Sequence, residues 1–218
     1  IAVRDERPVA LFTLEMSKAE VTQRMMCSEA KVESDRLRSG RLSPDDWPRL
    51  TGACDKLSKA PIYVDDTGSI TMMEIRSKAR RLKSKHPDLA LLVVDYLQLM
   101  SGGNAENRVQ EVSQISRSLK LLARDLDVPV IALSQLSRAV EQRHDKRPIL
   151  SDLRESGSIE QDADLVMFLY RDEYYNGEES EAQGLAEVIV AKHRNGPTDS
   201  LKLSFLRRFA KFADLAAV

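Results

Sequence analysis

The segment Leu89-Ala90-Leu91-Leu92-Val93-Val94-Asp95 constrains this chain more than any other. Its apolar run reads as a strand buried on both faces, the kind found in parallel sheets. It delivers one carboxylate to its carboxyl end. Ligands of open α/β sheets bind outside those ends, and an Asp placed there can hold Mg2+ beside a nucleotide phosphate. Other strands of this kind end in Asp only to cap a following helix, so the surroundings of Asp95 must decide.

Strands and helices alternate around this run. Pro8–Glu15 reads as a strand. Ser17-Lys18-Ala19-Glu20 is a capping box that opens a helix to about Val32. Ser43-Pro44-Asp45-Asp46 repeats the signal, with Ser as N-cap and Pro at the first helical position. Ile62-Tyr63-Val64 is a short strand, and Thr71-Met72-Met73-Glu74 opens a basic helix to about Lys85. Ser101-Gly102-Gly103-Asn104 reads as a loop. Val109, Val112, Ile115, Leu119, Leu122 and Leu126 then form one face of a long helix. Pro129–Gln135 is another buried strand, and Asp164–Tyr170 reads as a further strand. Ala186–Lys192, Leu201–Phe205 and Phe209–Phe212 read as closing strands, with a hairpin signal at Asn195-Gly196. The alternation through residue 135 predicts an α/β fold, a mostly parallel sheet with crossover helices, followed by an antiparallel extension.

The 218 residues suffice for one domain spanning 1–218 with a sizeable core. Net charge is −1, which excludes a general electrostatic footprint for nucleic acid. Any such site must be a local patch, such as Arg143-His144-Asp145-Lys146-Arg147, or be assembled from several subunits. Cys27 and Cys54 fall on helices and form no Cys-x-x-Cys pair, which points to reduced thiols in a cytoplasmic protein. No apolar run approaches ~18 residues, so no membrane contact is expected.

Three buried strands thus end in Glu15, Asp95 and Gln135. As parallel neighbours they would bring these side chains to one sheet edge. That set suits nucleoside triphosphate hydrolysis: Asp95 for Mg2+, Glu15 to orient and deprotonate water, Gln135 to hydrogen-bond the γ-phosphate. Phosphoryl transfer needs mainly positioning and charge stabilisation. The plainer alternative is that Glu15 and Gln135 cap helices or face solvent.

Phe12-Thr13-Leu14-Glu15-Met16-Ser17, Val94–Met100 and Ala132-Leu133-Ser134-Gln135-Leu136 resemble the successive motifs of the DnaB-type replicative helicases. So do Asp152–Asp164 and Lys192-His193-Arg194-Asn195-Gly196. The resemblance spans nearly the whole chain and points to the C-terminal, RecA-like ATPase domain. It implies ATP and Mg2+ as cofactors, with Glu15 as catalytic glutamate, Asp95 as Walker-B aspartate and Gln135 as the glutamine that couples the γ-phosphate to the DNA loops. It implies that Lys192 and Arg194 reach a neighbouring subunit's nucleotide site, and that Arg154, Glu155 and Gly157 contact single-stranded DNA. It further implies a homo-hexamer moving 5′ to 3′ and, as partners, primase and a helicase loader.

Such a motor needs Gly-x-x-x-x-Gly-Lys-Ser/Thr to cradle phosphates. None of the nine glycines is followed by lysine. The resemblance places that loop one helix upstream of the strand bearing Glu15, with Ile1–Arg7 as the end of that helix. The chain by itself is therefore expected to bind ATP weakly and not to hydrolyse it. A RecA-like recombinase would share the Glu/Asp/Gln logic, and a silent interaction module would fit the missing loop. The Asp152–Asp164 segment and the Lys192/Arg194 pair favour the helicase over the recombinase. The retained Glu15 and Asp95 argue against the silent module for the parent protein.

Overall fold

Asp95 ends a strand in a four-stranded parallel sheet, β1 (Val9–Thr13), β2 (Ile62–Asp65), β3 (Leu91–Asp95) and β4 (Val130–Ala132), in the spatial order β2-β1-β3-β4. The computed structural model describes residues 1–100, 108–153 and 157–215. A second sheet, antiparallel and ordered by sequence, comprises β5 (Leu165–Tyr170), β6 (Leu185–His193), β7 (Asp199–Leu206) and β8 (Lys211–Ala213). The parallel half and the antiparallel extension both follow the expected α/β plan.

The crossover helices form where local chemistry starts them. Helix α1 (Lys18–Ala30) opens on Ser17, whose hydroxyl accepts from the Glu20 N–H while the Glu20 carboxylate accepts from the Ser17 N–H. A short helix α2 (Ser34–Arg38), not anticipated from sequence, leads into α3 (Asp46–Lys59). Here the capping expectation is corrected. Asp45, not Ser43, is the N-cap residue, and Asp46 reverses the roles: its carboxylate accepts the Ser43 N–H at 2.8 Å. Asp46 is fully buried and also pairs with Arg36 at 2.7 Å and Arg49 at 2.6 Å, so one carboxylate joins α2 to α3. Its pKa lies below the ordinary Asp value, chiefly through the Ser43 hydrogen bond. Helix α4 (Met72–Lys85) carries the expected capping box between Thr71 and Glu74.

Helix α5 (Arg108–Leu126) packs with α4 on one face of the parallel sheet. Val112, Ile115, Leu119, Leu122 and Leu126 are buried as expected, together with Ile75 and Ala79 of α4 and with Phe12, Leu92 and Val94 of the sheet. Burying each such large side chain stabilises the fold by about 1.5–3 kcal/mol before entropy is counted. Val109 departs from the pattern and is 48% exposed. Leu91 and Val93, on the opposite face of β3, are only half-buried. Burial on both faces is therefore not what the described residues show.

β4 is corrected more strongly. It spans three residues instead of the long buried strand expected, and Ile131 is 44% exposed. Among the described residues it pairs only with β3, so it forms a sheet edge. β5 alternates strictly. Val166, Phe168 and Tyr170 are buried, whereas Leu165, Met167 and Leu169 are exposed. The Asn195-Gly196 signal lies in the connection between β6 and β7. A Cβ on Gly196 would sit 2.6 Å from the His193 ring, so this turn admits only glycine without moving that ring. Cys27 is buried in α1 and Cys54 exposed in α3, both free. No described helix is long and apolar enough to cross a membrane.

Candidate functional site

Parallel pairing brings the carboxyl ends of β1, β3 and β4 to the same sheet edge, side by side. Thr13 is the register partner of Asp95, and the Leu14 N–H donates to the Asp95 carbonyl at 2.8 Å. The Thr13 hydroxyl then closes a turn onto the Met16 carbonyl at 2.9 Å, and Ser17 starts α1. Glu15 therefore lies in the bend between β1 and α1, with its side chain exposed. The strand itself ends at Thr13, two residues earlier than the sequence reading placed it. Asp95 is half-buried, and burial, reinforced by the Glu15 charge, raises its pKa above the ordinary Asp value. Arg24 on α1 pulls it back down. Arg24 was not singled out in the sequence, because nothing local links a helix residue to a carboxylate at a distant strand end. The Asp95–Tyr96 peptide is cis.

Gln135 lies three residues beyond β4, and its side chain is exposed. The ladder continues past the strand through Leu133, whose N–H donates to the Val94 carbonyl at 2.9 Å and whose carbonyl accepts from the Leu97 N–H at 3.0 Å. Glu15, Asp95 and Gln135 thus sit on adjacent segments in spatial order. Only Asp95 is a strand residue. Among the described residues no group of three or more His, Cys, Asp or Glu side chains could cage a metal. A half-buried carboxylate beside a second one instead fits Mg2+, which keeps several waters and takes one or two carboxylates plus substrate phosphates.

Lys192 is the next-to-last residue of strand β6, and Arg194 follows its end. Both reach α6 (Gly157–Asp162) of their own chain. The Lys192 ammonium donates to the Glu160 carbonyl, and Arg194 donates to the Gln161 carbonyl at 2.7 Å. Cations suit these carbonyls because a helix leaves its last ones unpaired. Asp164 takes Lys120 and, at 3.7 Å, Arg194, and its pKa is lowered first by the Lys120 hydrogen bond. The Arg194 side chain stays half exposed.

Arg154 and Glu155 lie outside the described residues. Gly157 is the exposed first residue of α6, with open space where a Cβ would stand. The approach to this segment is firmly held. Leu153 bridges Leu136, just past Gln135, and the Ser137 N–H donates to the Asp152 carbonyl at 2.8 Å. The nearby basic stretch proves to be internally compensated. Arg143 grips Asp152 with two nitrogens, Arg147 grips Glu187 likewise and covers the Tyr170 ring, and Lys146 stands over Tyr175. Surface sequence alone does not reveal such pairing, because the partners are up to 40 residues away.

Residues 1–214 match the model of the DnaB-like helicase C-terminal domain. The chain belongs to this family. It is 56% identical over 99% of its length to the replicative DNA helicase DnaB of Geobacillus stearothermophilus, covering 47% of that protein. It is 52% identical to the replicative DNA helicase DnaC of Bacillus subtilis, with the same coverage on both sides. Among solved structures, the ATPase domain of G40P superposes with a TM-score of 0.93 at 44% identity, over 97% of this chain and 75% of that one. A DnaB-like replicative helicase described with its interactions with primase gives the same score and identity, over 97% of this chain and 51% of that one.

The chain therefore spans about half the length of the curated relatives it matches. Membership of the DnaB-like family sets the chain among helicase domains and apart from recombinases. It also establishes the RecA-like character of the fold.

Proposed function

We propose that this chain is the motor domain of a hexameric replicative DNA helicase, which couples ATP hydrolysis to movement along single-stranded DNA and to unwinding at the replication fork. One observation carries the reading: in a member of the DnaB-like family, Glu15, Asp95 and Gln135 line one sheet edge on adjacent segments. Asp95 would hold Mg2+, and a divalent cation would relieve the cost of keeping this half-buried carboxylate charged beside Glu15. Mg2+, when bound, neutralises charge on the transferred phosphoryl group. Glu15, exposed in its bend, orients and deprotonates the attacking water. Gln135 hydrogen-bonds the γ-phosphate. No glycine of these 218 residues precedes a lysine, so this reading requires a phosphate-cradling loop supplied from outside them.

Lys192 and Arg194 act across a subunit boundary, where the fixed charge of an arginine stabilises the reaction only in an assembled ring. The half exposure of Arg194 is compatible with that reach. Arg154 pairs with a DNA phosphate, while Glu155 and Gly157 offer main-chain N–H groups. Contacts to phosphate give sequence-tolerant, salt-sensitive binding. A net charge of −1 per chain fits a local DNA patch repeated around a ring. Primase is a partner by analogy with the related helicase, a helicase loader by family, and the setting is cytoplasmic.

The test uses the full-length protein. Glu15→Gln should lower ATP turnover at least about 100-fold, the usual scale for a lost general base, and abolish unwinding of a forked duplex. Unwinding at the parental rate would overturn the assignment.

A further inference from the structure

Just beyond β4 the main chain runs past the last ladder bond without a strand partner on its β3 side. A side chain supplies the missing partner. Gln98 sits in the 3-10 turn Leu97–Leu99 that follows Asp95-Tyr96. Its Oε1 accepts the Gln135 N–H at 3.1 Å. Its Nε2 donates to the Ser134 hydroxyl at 2.9 Å and to the Gln135 carbonyl at 3.4 Å. One amide thus grips the main chain of Gln135 from both ends, as a neighbouring strand would.

The grip has a rigid base. Leu97, just before Gln98, and Met100, two residues after it, are each 2% exposed. Arg108 of α5 donates to the Gln98 carbonyl at 2.5 Å and to the Met100 carbonyl at 3.4 Å. The turn is therefore fixed to β3 at one end and to α5 at the other. The gripped segment leads away in the opposite direction, through Leu136 and its bridge to Leu153, towards residues 154–157.

We propose that Gln98 is a positioning residue for Gln135. It locks the Gln135 main chain in register with the strand that carries Asp95, so that a change felt at the nucleotide end is passed as one unit to the Leu136–Leu153 bridge. The proposal deepens the role assigned to Gln135 under Proposed function and rests on it. The amide is chemically required. A methionine fills the same space but makes none of the three bonds. A glutamate keeps an acceptor for the Gln135 N–H but loses the donor and sets a charge against the Gln135 carbonyl.

The experiment compares Gln98→Met, Gln98→Glu, Gln135→Ala and the Gln98→Met/Gln135→Ala double variant in the full-length helicase. Each is checked for assembly, and ATP turnover is measured with and without single-stranded DNA. Misplacement of a positioned group by an ångström is worth up to about 100-fold, so the turnover ratio with and without DNA should fall at least about 10-fold in Gln98→Met. KM for ATP should stay within about twofold, since the change is in geometry and not in uniform binding. Gln98→Glu should fall between the parent and Gln98→Met, and serves as the reporter if Gln98→Met fails to assemble. The double variant should be no worse than Gln135→Ala. A normal ratio in an assembled Gln98 variant, or an effect that adds fully to that of Gln135→Ala, overturns the proposal. A normal ratio in Gln135→Ala overturns the reading of Gln135 itself and the proposal with it.

Discussion

Arg143 and Asp152 form a two-pronged ion pair, with nitrogen–oxygen distances of 2.9 and 2.7 Å, that anchors the segment leading to residues 154–157. The Asp152 side chain is 5% exposed and takes a third hydrogen bond from the Ile149 N–H at 2.8 Å. Removing one partner of such a pair leaves a buried charge uncompensated. Arg143→Ala should therefore destabilise the fold by about 3 kcal/mol. Arg143→Lys should recover only part of this, because an ammonium cannot copy the planar fork. Urea denaturation of the three proteins measures it, and equal midpoints would refute the anchoring role.

The carboxylate pair at the sheet edge sets a pH dependence. Burial and Glu15 raise the Asp95 pKa, so protonated Asp95 is favoured in the folded state. Stability from this group is complete below the unfolded-state value, near 3.9, and is lost as pH rises through the folded value. Asp95→Asn removes that loss. At pH 7 the variant should unfold at a higher midpoint than the parent, with the gap closing as pH falls towards about 4. A gap that widens on acidification would contradict the raised pKa.

The exposed apolar residues at the sheet edges predict behaviour of the chain by itself. Ile131 and Leu133 at β4 and Met167 and Leu169 on β5 are 41–62% exposed. Contiguous apolar exposure drives association. The 218-residue chain alone should self-associate, as followed by light scattering, and show no ATP turnover. Met167→Lys combined with Ile131→Lys should reduce scattering at equal concentration. A monodisperse parental chain, or measurable turnover in a clean preparation, would sink this expectation.

Legibility followed the range of the interactions involved. The capping boxes at Ser17–Glu20 and Thr71–Glu74 were plain in the sequence because both partners lie within one turn. The same pattern at Ser43 misled, because Arg36 and Arg49 recruit the Asp46 carboxylate into a buried cluster. The apolar spacing of α5 matches its buried face except at Val109. The apolar composition of β4 points to burial, yet composition does not say whether a strand has a neighbour on each side. Arg24 carries no local signal, and Gln98 lies within the Val94–Met100 motif without any local sign of its partner at Gln135.

The sequence by itself determined the types of the longer elements, the parallel-then-antiparallel order, the family motifs and the identity of Glu15, Asp95 and Gln135 as the polar groups at strand exits, but not the short helices α2 and α6. These depend on periodicity, capping and residue chemistry, which act over a few positions. Tertiary structure alone decided that β1, β3 and β4 are neighbours in that order, that Asp95 is half-buried against Glu15, and that Gln98 grips Gln135 from 37 residues away. Those relationships rest on sheet pairing and burial between distant segments, and only the folded chain brings such segments together.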